Sequence, residues 1–256
     1  EAMAAVRDGI VPIAEYSYEQ QNGEVPFASL GAMPGLAMGY DETATLLEIM
    51  RPHMDDIFDN YNQKLLYSVP WPGQAVYAKK PIENLSDLGG YKLRGANARA
   101  VEFFEVLGAA PVLLPWAEVV PSLASGVIDG VSTSSSSGVD GKFWEFMSHM
   151  SRFDWSKPLS VVTVNLDAWN KLSAKDQAAI EALSADLEGQ FWDVSKSEDE
   201  RNLAILAENG MTVSMPSDAM RAEIAVASEQ IWTEFLNIAG PEAAKVVSEF
   251  RSRTGK

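Results

Sequence analysis

The chain has 256 residues, 46% of them hydrophobic and 22% charged, enough to bury one large core or two modest lobes. Twenty Lys and Arg against 36 Asp and Glu give a net charge of −16, which argues against nucleic acid or an anionic membrane surface as partner. Cysteine is absent, which excludes disulfides, thiolate metal sites and a cysteine nucleophile, and no run approaches the ~18 apolar residues of a membrane span.

The chain opens on the end of an amphipathic helix (Ala5, Val6, Ile10) that stops near Gly9, followed by an apolar strand over Val11 to Ala14. In an α/β protein a strand normally precedes such a helix, so at least one βα step is expected upstream of Glu1. GYDETATLLEIMRPHMDDIFDNYNQ places early acids and helically spaced apolar residues (Leu46, Leu47, Ile49, Met50, Met54, Ile57) in one or two helices. KLLYSVPW and QAVYAKKP read as strands around Pro72-Gly73. SDLGGYKLRG offers Ser86 as a cap and a strand ending at Arg94. ARAVEFFEVLG then reads as a helix closed by Gly108, APVLLP as a strand, WAEVVPSLASG as a helix closed by Gly126, and VIDGVSTS as another strand. Ser134 to Ser137 reads as a loop, Gly141 to Met150 as helical and SVVTVN as a strand. From Ser173, an N-cap, a helix of unusual length runs to Asn209-Gly210, and a strand, MTVSM, and two helices finish the chain. A helix of about 35 residues spans roughly 50 Å, more than one lobe is wide. The alternation of strand and helix predicts α/β layers with largely parallel sheets.

The chemistry is marked by what is missing. His53 and His149 have no partner at metal-ligand spacing, and no GxSxG, GxGxxG or P-loop is present, so neither a metal nor a cofactor is expected. What remains is Arg94, at the C-terminal end of a strand, where open α/β sheets place their ligand crevice and where a guanidinium fork can grip a carboxylate. Read alone, a strand-end arginine paired with one of many acids is the simpler account. Trp116 and Trp71 are equally legible as core or turn residues, and Trp144, Trp169 and Trp192 read as core.

The block LSDLGGYKLRGANARAVEFFEVLGAAPVLLPWAEVVPSLASGVIDG, Leu85 to Gly130, changes that balance. It resembles the substrate-binding proteins of tripartite ATP-independent periplasmic (TRAP) transporters, the DctP-like family. Their pattern runs L-x-D-L-x-G-x-K-(I/L)-R, a helix, L-G-A-x-P-V-x-L-P, then E-V-(Y/V)-x-x-L-x-x-G-(V/x)-(V/I)-D-G. The likeness extends over about residues 1 to 215, with RDGIVPI matching the family's entry to a strand.

The resemblance implies an α/β, two-lobed periplasmic-binding-protein-like fold with the long helix crossing both lobes. It implies a first lobe begun by residues 1–72, a second lobe with the anion-binding arginine over 73–158, a return and the crossing helix over 159–210, and a C-terminal strand and helices over 211–256. Family members begin with a signal peptide and N-terminal strands that this chain lacks, so the first lobe is expected to be incomplete. The implied activity is capture of a small organic acid in the periplasm and its delivery to TRAP permease subunits, without catalysis. Arg94 takes the place of the family's carboxylate-binding arginine. Gln74 stands twenty positions earlier, where sialic-acid-binding relatives carry a second arginine, so a dicarboxylate is disfavoured. Trp116 and Thr133 fall on the aromatic and polar positions of the family cleft. Tyr16, Ser17 and Tyr18 are expected to face it from the other lobe, Trp155 to lie near the crossover, and Trp71, Ser134 and Ser135 to line it. The aromatic count suggests a flat or compact monocarboxylate, benzoate-like first and hydroxy- or oxo-acid next. An α/β enzyme or ligand sensor acting on a small anion is the alternative.

Overall fold

A computed structural model describes residues 2–255. Helix α1 (Ala2–Arg7) ends ahead of Gly9, whose φ of 69° turns the chain toward β1 (Ile13–Ser17). Two 3-10 segments, Glu19–Gln21 and Pro26–Ala32, lead to α2 (Tyr40–Asn60), which packs on β2 (Gln63–Pro70). The chain continues through β3 (Ala75–Ala78), β4 (Leu93–Gly95), α3 (Ala98–Val106), β5 (Val112–Leu113), α4 (Trp116–Ser125) and β6 (Gly130–Thr133). Next come α5 (Ser135–Asp140), β7 (His149–Ser151), β8 (Leu159–Asn165), α6 (Leu166–Trp169) and α7 (Ala174–Glu208). The last elements are β9 (Thr212–Ser214) and α8 (Asp218–Thr254), which Gly240, at φ 82°, divides into two helical segments.

Two sheets result. The first has the order β1-β8-β2 and the second β5-β4-β6-β3-β7-β9. The largely parallel arrangement expected from strand-helix alternation is not found. The first sheet is wholly antiparallel, and in the second β3 runs antiparallel to β6 and β7 while β4 is parallel to β5 and β6. The cause is the crossing between sheets. β2 runs out of the first sheet and β8 runs back beside it, with Pro70 opposite Leu159, so the two point opposite ways. Their pairing continues across the crossing, where the Trp71 N–H donates to the Pro158 carbonyl at 2.8 Å and the Gln74 N–H to Ser156 at 3.0 Å.

Helix α7 is 35 residues long and spans about 52 Å. It ties both sheets together. Near its middle Glu188 accepts hydrogen bonds from the Ser68 N–H and Oγ on β2. About three to four turns further on, Asp199 accepts from Ser135 Oγ and Asn202 donates to Ser136 Oγ, both on α5. Two local expectations are corrected. Asn84, not Ser86, caps the 3-10 turn Leu85–Leu88, because its extended backbone aims its side chain at the turn while Asp87 completes the box. The helix expected over Gly141 to Met150 lies earlier, within the serine run, where Ser134 Oγ accepts from the Ser137 N–H; the later stretch is a 3-10 turn, Phe143–Glu145, followed by β7.

The return segment between β7 and β8 is buried and charged. Arg152 Nη2 lies 3.0 Å from Asp154 and 3.4 Å from Asp199, while Lys157 Nζ sits 4.2 Å above the Tyr40 ring. Burial raises the Asp154 carboxyl and lowers the Lys157 ammonium from their ordinary pKa values. Asp154 adopts φ 47°, which swings its carboxylate under Gly73 on the outgoing segment.

The second sheet closes over its own core of Tyr77, Val131, Phe143 and Met150, and Gly130 lets β6 approach β3. A Cβ at Gly130 would collide with the Tyr77 carbonyl oxygen and the Tyr91 ring, and the carbonyl is backbone that cannot swing aside. Gly130→Ala is therefore expected to destabilise the protein by about 1–3 kcal/mol in a denaturant melt. Gly23→Ala, where a Cβ meets nothing within 4 Å, is the control and should change stability by less than about 0.5 kcal/mol.

Candidate functional site

Arg94 occupies the middle of the three residues of β4, a strand flanked by β5 and β6, and is only 4% exposed. Its glycine neighbour has a packing role. A Cβ on Gly95 would come within 3.2 Å of Ala100 Cβ and 3.3 Å of the Val101 backbone nitrogen, so glycine lets the start of α3 close down on the strand end. The Arg94 Nε–H donates to the Leu114 carbonyl at 3.1 Å, which fixes the plane of the guanidinium. Among the described residues no carboxylate pairs with it. Burial alone acts on its pKa, lowering it to about 10, so the group stays cationic at neutral pH.

The guanidinium lines a cleft of about 300 Å³ between the two sheets. The second sheet and its helices contribute Gln74, Asn97, Thr133 and Ser134, all nearly buried, and Trp116, which is 44% exposed. Gln74 Nε2 donates to the Pro72 carbonyl at 3.1 Å, and Asn97 Oδ1 caps α3 by accepting from the Ala100 N–H at 2.9 Å. Trp71 stands at the crossing, 40% exposed, with Nε1–H directed to Ser160 Oγ at 3.1 Å. The first sheet's side supplies Ser17, Glu19 and Gln20, next to Pro158. The site therefore has one cation, several neutral polar groups, two partly exposed indoles and two carboxylates, Glu19 and Asp140. It can hold an anion by charge-assisted hydrogen bonds against flat apolar walls. A second groove of about 290 Å³ runs from Trp71 along α7, lined by Val69, Pro70, Phe191 and Val194, and its only charged lining residue is Glu198.

Of the residues singled out from the sequence, the structure brings Arg94, Gln74, Trp116, Thr133, Trp71, Ser17 and Ser134 to this cleft. Three others lie elsewhere. Tyr16 is buried in the first lobe, donating to Gln63 Oε1 at 2.9 Å and accepting from Thr163 Oγ1 at 3.2 Å. Tyr18 is fully buried with its ring centroid 5.4 Å from that of Phe58. Trp155 is 1% exposed, packed on Phe103 and Phe104, with Nε1–H bonded to Ser132 Oγ at 3.0 Å. Within β1 the two-residue period sends Tyr16 into the core and leaves Ser17 on the cleft side; beyond the strand's end the chain turns into the 3-10 segment Glu19–Gln21, which buries Tyr18 and brings Glu19 to the cleft. Ser135, also weighed from the sequence, is buried against Asp199.

Glu19, Gln20, Asn97, Ser137, Asp140 and Pro158 were not found by sequence reasoning. No local pattern points to Glu19, one acid among 36 and the first residue of a 3-10 turn. Asn97 was legible as a helix cap three residues after Arg94.

Glu19 is 3% exposed; its Oε1 accepts from Ser17 Oγ at 2.8 Å and its Oε2 from the Leu159 N–H at 3.1 Å. Burial nevertheless raises its pKa to about 7, from an ordinary value of 4.5. Between those values the folded state holds a proton that the unfolded chain has released, so this group's contribution to stability falls as pH rises from 4.5 to 7. Tm of the wild type should drop across that window more steeply than Tm of Glu19→Gln, and parallel curves would contradict the assignment.

Residues 1–237 match the family DctP, described as bacterial extracellular solute-binding protein, family 7. The ectoine/5-hydroxyectoine-binding periplasmic protein UehA of Ruegeria pomeroyi is 23% identical over 263 aligned positions, covering 98% of this chain and 76% of that protein. The crystal structure of DctP7, a Bordetella pertussis extracytoplasmic solute receptor binding pyroglutamic acid, superposes with a TM-score of 0.94 at 27% identity, over 98% of this chain and 83% of that one. A marine metagenome TRAP solute-binding protein specific for pyroglutamate superposes at 0.92 with 26% identity, over 98% and 82% of the two chains. With its two-lobed α/β fold and a single buried arginine in the cleft, the chain belongs to the family 7 bacterial extracellular solute-binding proteins, the periplasmic receptors of TRAP transporters, and is a receptor rather than an enzyme.

Proposed function

We propose that this receptor captures a small monocarboxylate with a compact, flat body and delivers it to the permease subunits of a TRAP transporter. The observation that carries this reading is Arg94, a buried cation without a carboxylate partner among the described residues, facing a cleft between lobes. A buried charge is costly unless paired, and here the missing partner is supplied by the ligand. A single guanidinium matches a single carboxylate. Gln74 is neutral, and the two acids at the cleft, Glu19 and Asp140, disfavour a second negative charge. A volume of about 300 Å³ suits a molecule the size of a benzoate, a small oxo-acid or a five-membered lactam acid. The lactam acid is favoured by kinship, since relatives of 27% and 28% identity bind pyroglutamic acid. Trp71 and Trp116 supply the flat walls, and closure of the lobes would bury the ion pair and slow release.

The test is a thermal-shift panel of pyroglutamate, benzoate, lactate, pyruvate and succinate. At a ligand concentration 100 times its Kd, stabilisation should be about 2.7 kcal/mol. At least one monocarboxylate should raise Tm, succinate should do so less, and Arg94→Ala should respond to none. A wild type indifferent to every acid, or an Arg94→Ala variant responding equally, would overturn the reading. Gln74→Arg is expected to shift the preference toward succinate.

A further inference from the structure

The cleft contains a carboxylate that the binding of an anion does not require. Glu19 is nearly buried, opens the 3-10 turn that follows β1 on the first sheet's side, and lines the same cavity as Arg94. Among the described residues no cation pairs with it. Its donors are neutral: Ser17 Oγ on one oxygen, the Leu159 N–H on the other, and its own backbone N–H. A carboxamide could satisfy both groups, its oxygen accepting from the Leu159 N–H and its NH2 donating to the Ser17 hydroxyl, without the desolvation cost of an anion, so their needs do not explain a carboxylate here. The carboxylate has room for a further hydrogen bond, and in its ionised form it can only accept.

We propose that Glu19 is a specificity-determining residue that receives a hydrogen bond from an N–H or O–H donor on the ligand, at the end remote from the carboxylate held by Arg94. The inference rests on the monocarboxylate reading above and narrows it to acids carrying a distal donor, which excludes benzoate itself. Such a ligand is held from both sides at once. Its anion is gripped by β4 in the second sheet and its donor by Glu19 in the first, so only a closed cleft satisfies both ends. Ser17 and Leu159 act as positioning groups. Leu159 opens the strand that returns from the second sheet, and its N–H holds Glu19 Oε2 beside the crossing. An acceptor without a donor opposite it is left buried and unpaired, and the resulting penalty is what rejects the wrong acid.

The experiment compares L-pyroglutamate with 5-oxotetrahydrofuran-2-carboxylate, the lactone in which ring oxygen replaces the N–H, by isothermal titration on the wild type, Glu19→Gln and Glu19→Asp. A broader thermal-shift panel pairs other acids with and without a distal donor. The wild type is expected to bind the lactam at least about 10-fold more tightly than the lactone, from the usual strength of a hydrogen bond to a charged group. Glu19→Gln should close most of that gap while still binding the carboxylate, and Glu19→Asp should keep part of the preference. Apo Tm values establish that the variants fold; if they do not, the wild-type comparison decides alone. Lactam and lactone bound equally by the wild type, or a preference unchanged in a folded Glu19→Gln, would overturn the proposal and leave the monocarboxylate reading intact. If no acid of either kind binds, both readings fall together.

Discussion

The unpaired guanidinium of Arg94 is the constraint on which the rest of the site depends. At 4% exposure it gives up much of its hydration, and one backbone carbonyl, that of Leu114, returns only part of what water supplied. Folding alone gains little from such an arrangement, since an apolar residue on β4 would pack with less desolvation cost. The proposed carboxylate ligand would supply the partner that the protein does not. Gly95 and the cap at Asn97 serve the same end, bringing α3 close to the strand end and keeping the guanidinium at the cleft floor.

The second constraint is that the two walls of the cleft belong to different sheets. They are joined by a paired crossing in which Trp71 and Gln74 on the outgoing segment hydrogen-bond to Pro158 and Ser156 on the return. Trp71, Gln74 and Pro158 also line the cleft, so the covalent connection between the lobes and the ligand site share residues. Behind the crossing lie Lys157 and Asp199, both buried, and the half-buried Arg152 and Asp154, on the return segment and on α7. Ser151 Oγ, Arg152 Nε, Asp154 Oδ1 and Ser156 Oγ are buried there without a protein partner. A polar, incompletely satisfied crossing resists deformation less than a close-packed apolar one, which suits the closure proposed above.

Much of this was legible in the sequence where a local rule acts alone. Gly108, Gly126 and Gly210 mark helix ends and all take positive φ, and Ser173 caps the 35-residue helix through the Asp176 N–H. The order of motifs around Arg94 led to the family that the comparisons then showed. What was not legible depends on partners distant in the chain. No local pattern says that β8 inserts between β1 and β2, so the antiparallel first sheet was missed. Tyr16 and Tyr18 stand out as aromatics, while the strand alternation that turns Ser17 to the cleft and the 3-10 turn that brings Glu19 beside it leave no comparable mark. Trp155 was placed beside the crossover, but its side chain packs on Phe103 and Phe104 in the core.

The central claim is that ligand charge is read by one buried cation. The most direct measurement is an isothermal titration of the wild type with L-pyroglutamate and with its primary amide, which keeps the ring and its N–H but removes the negative charge. Loss of a charge-assisted hydrogen-bonded pair, with the cation left buried, should weaken binding of the amide by about 100-fold or more. An amide bound as tightly as the acid would contradict the account.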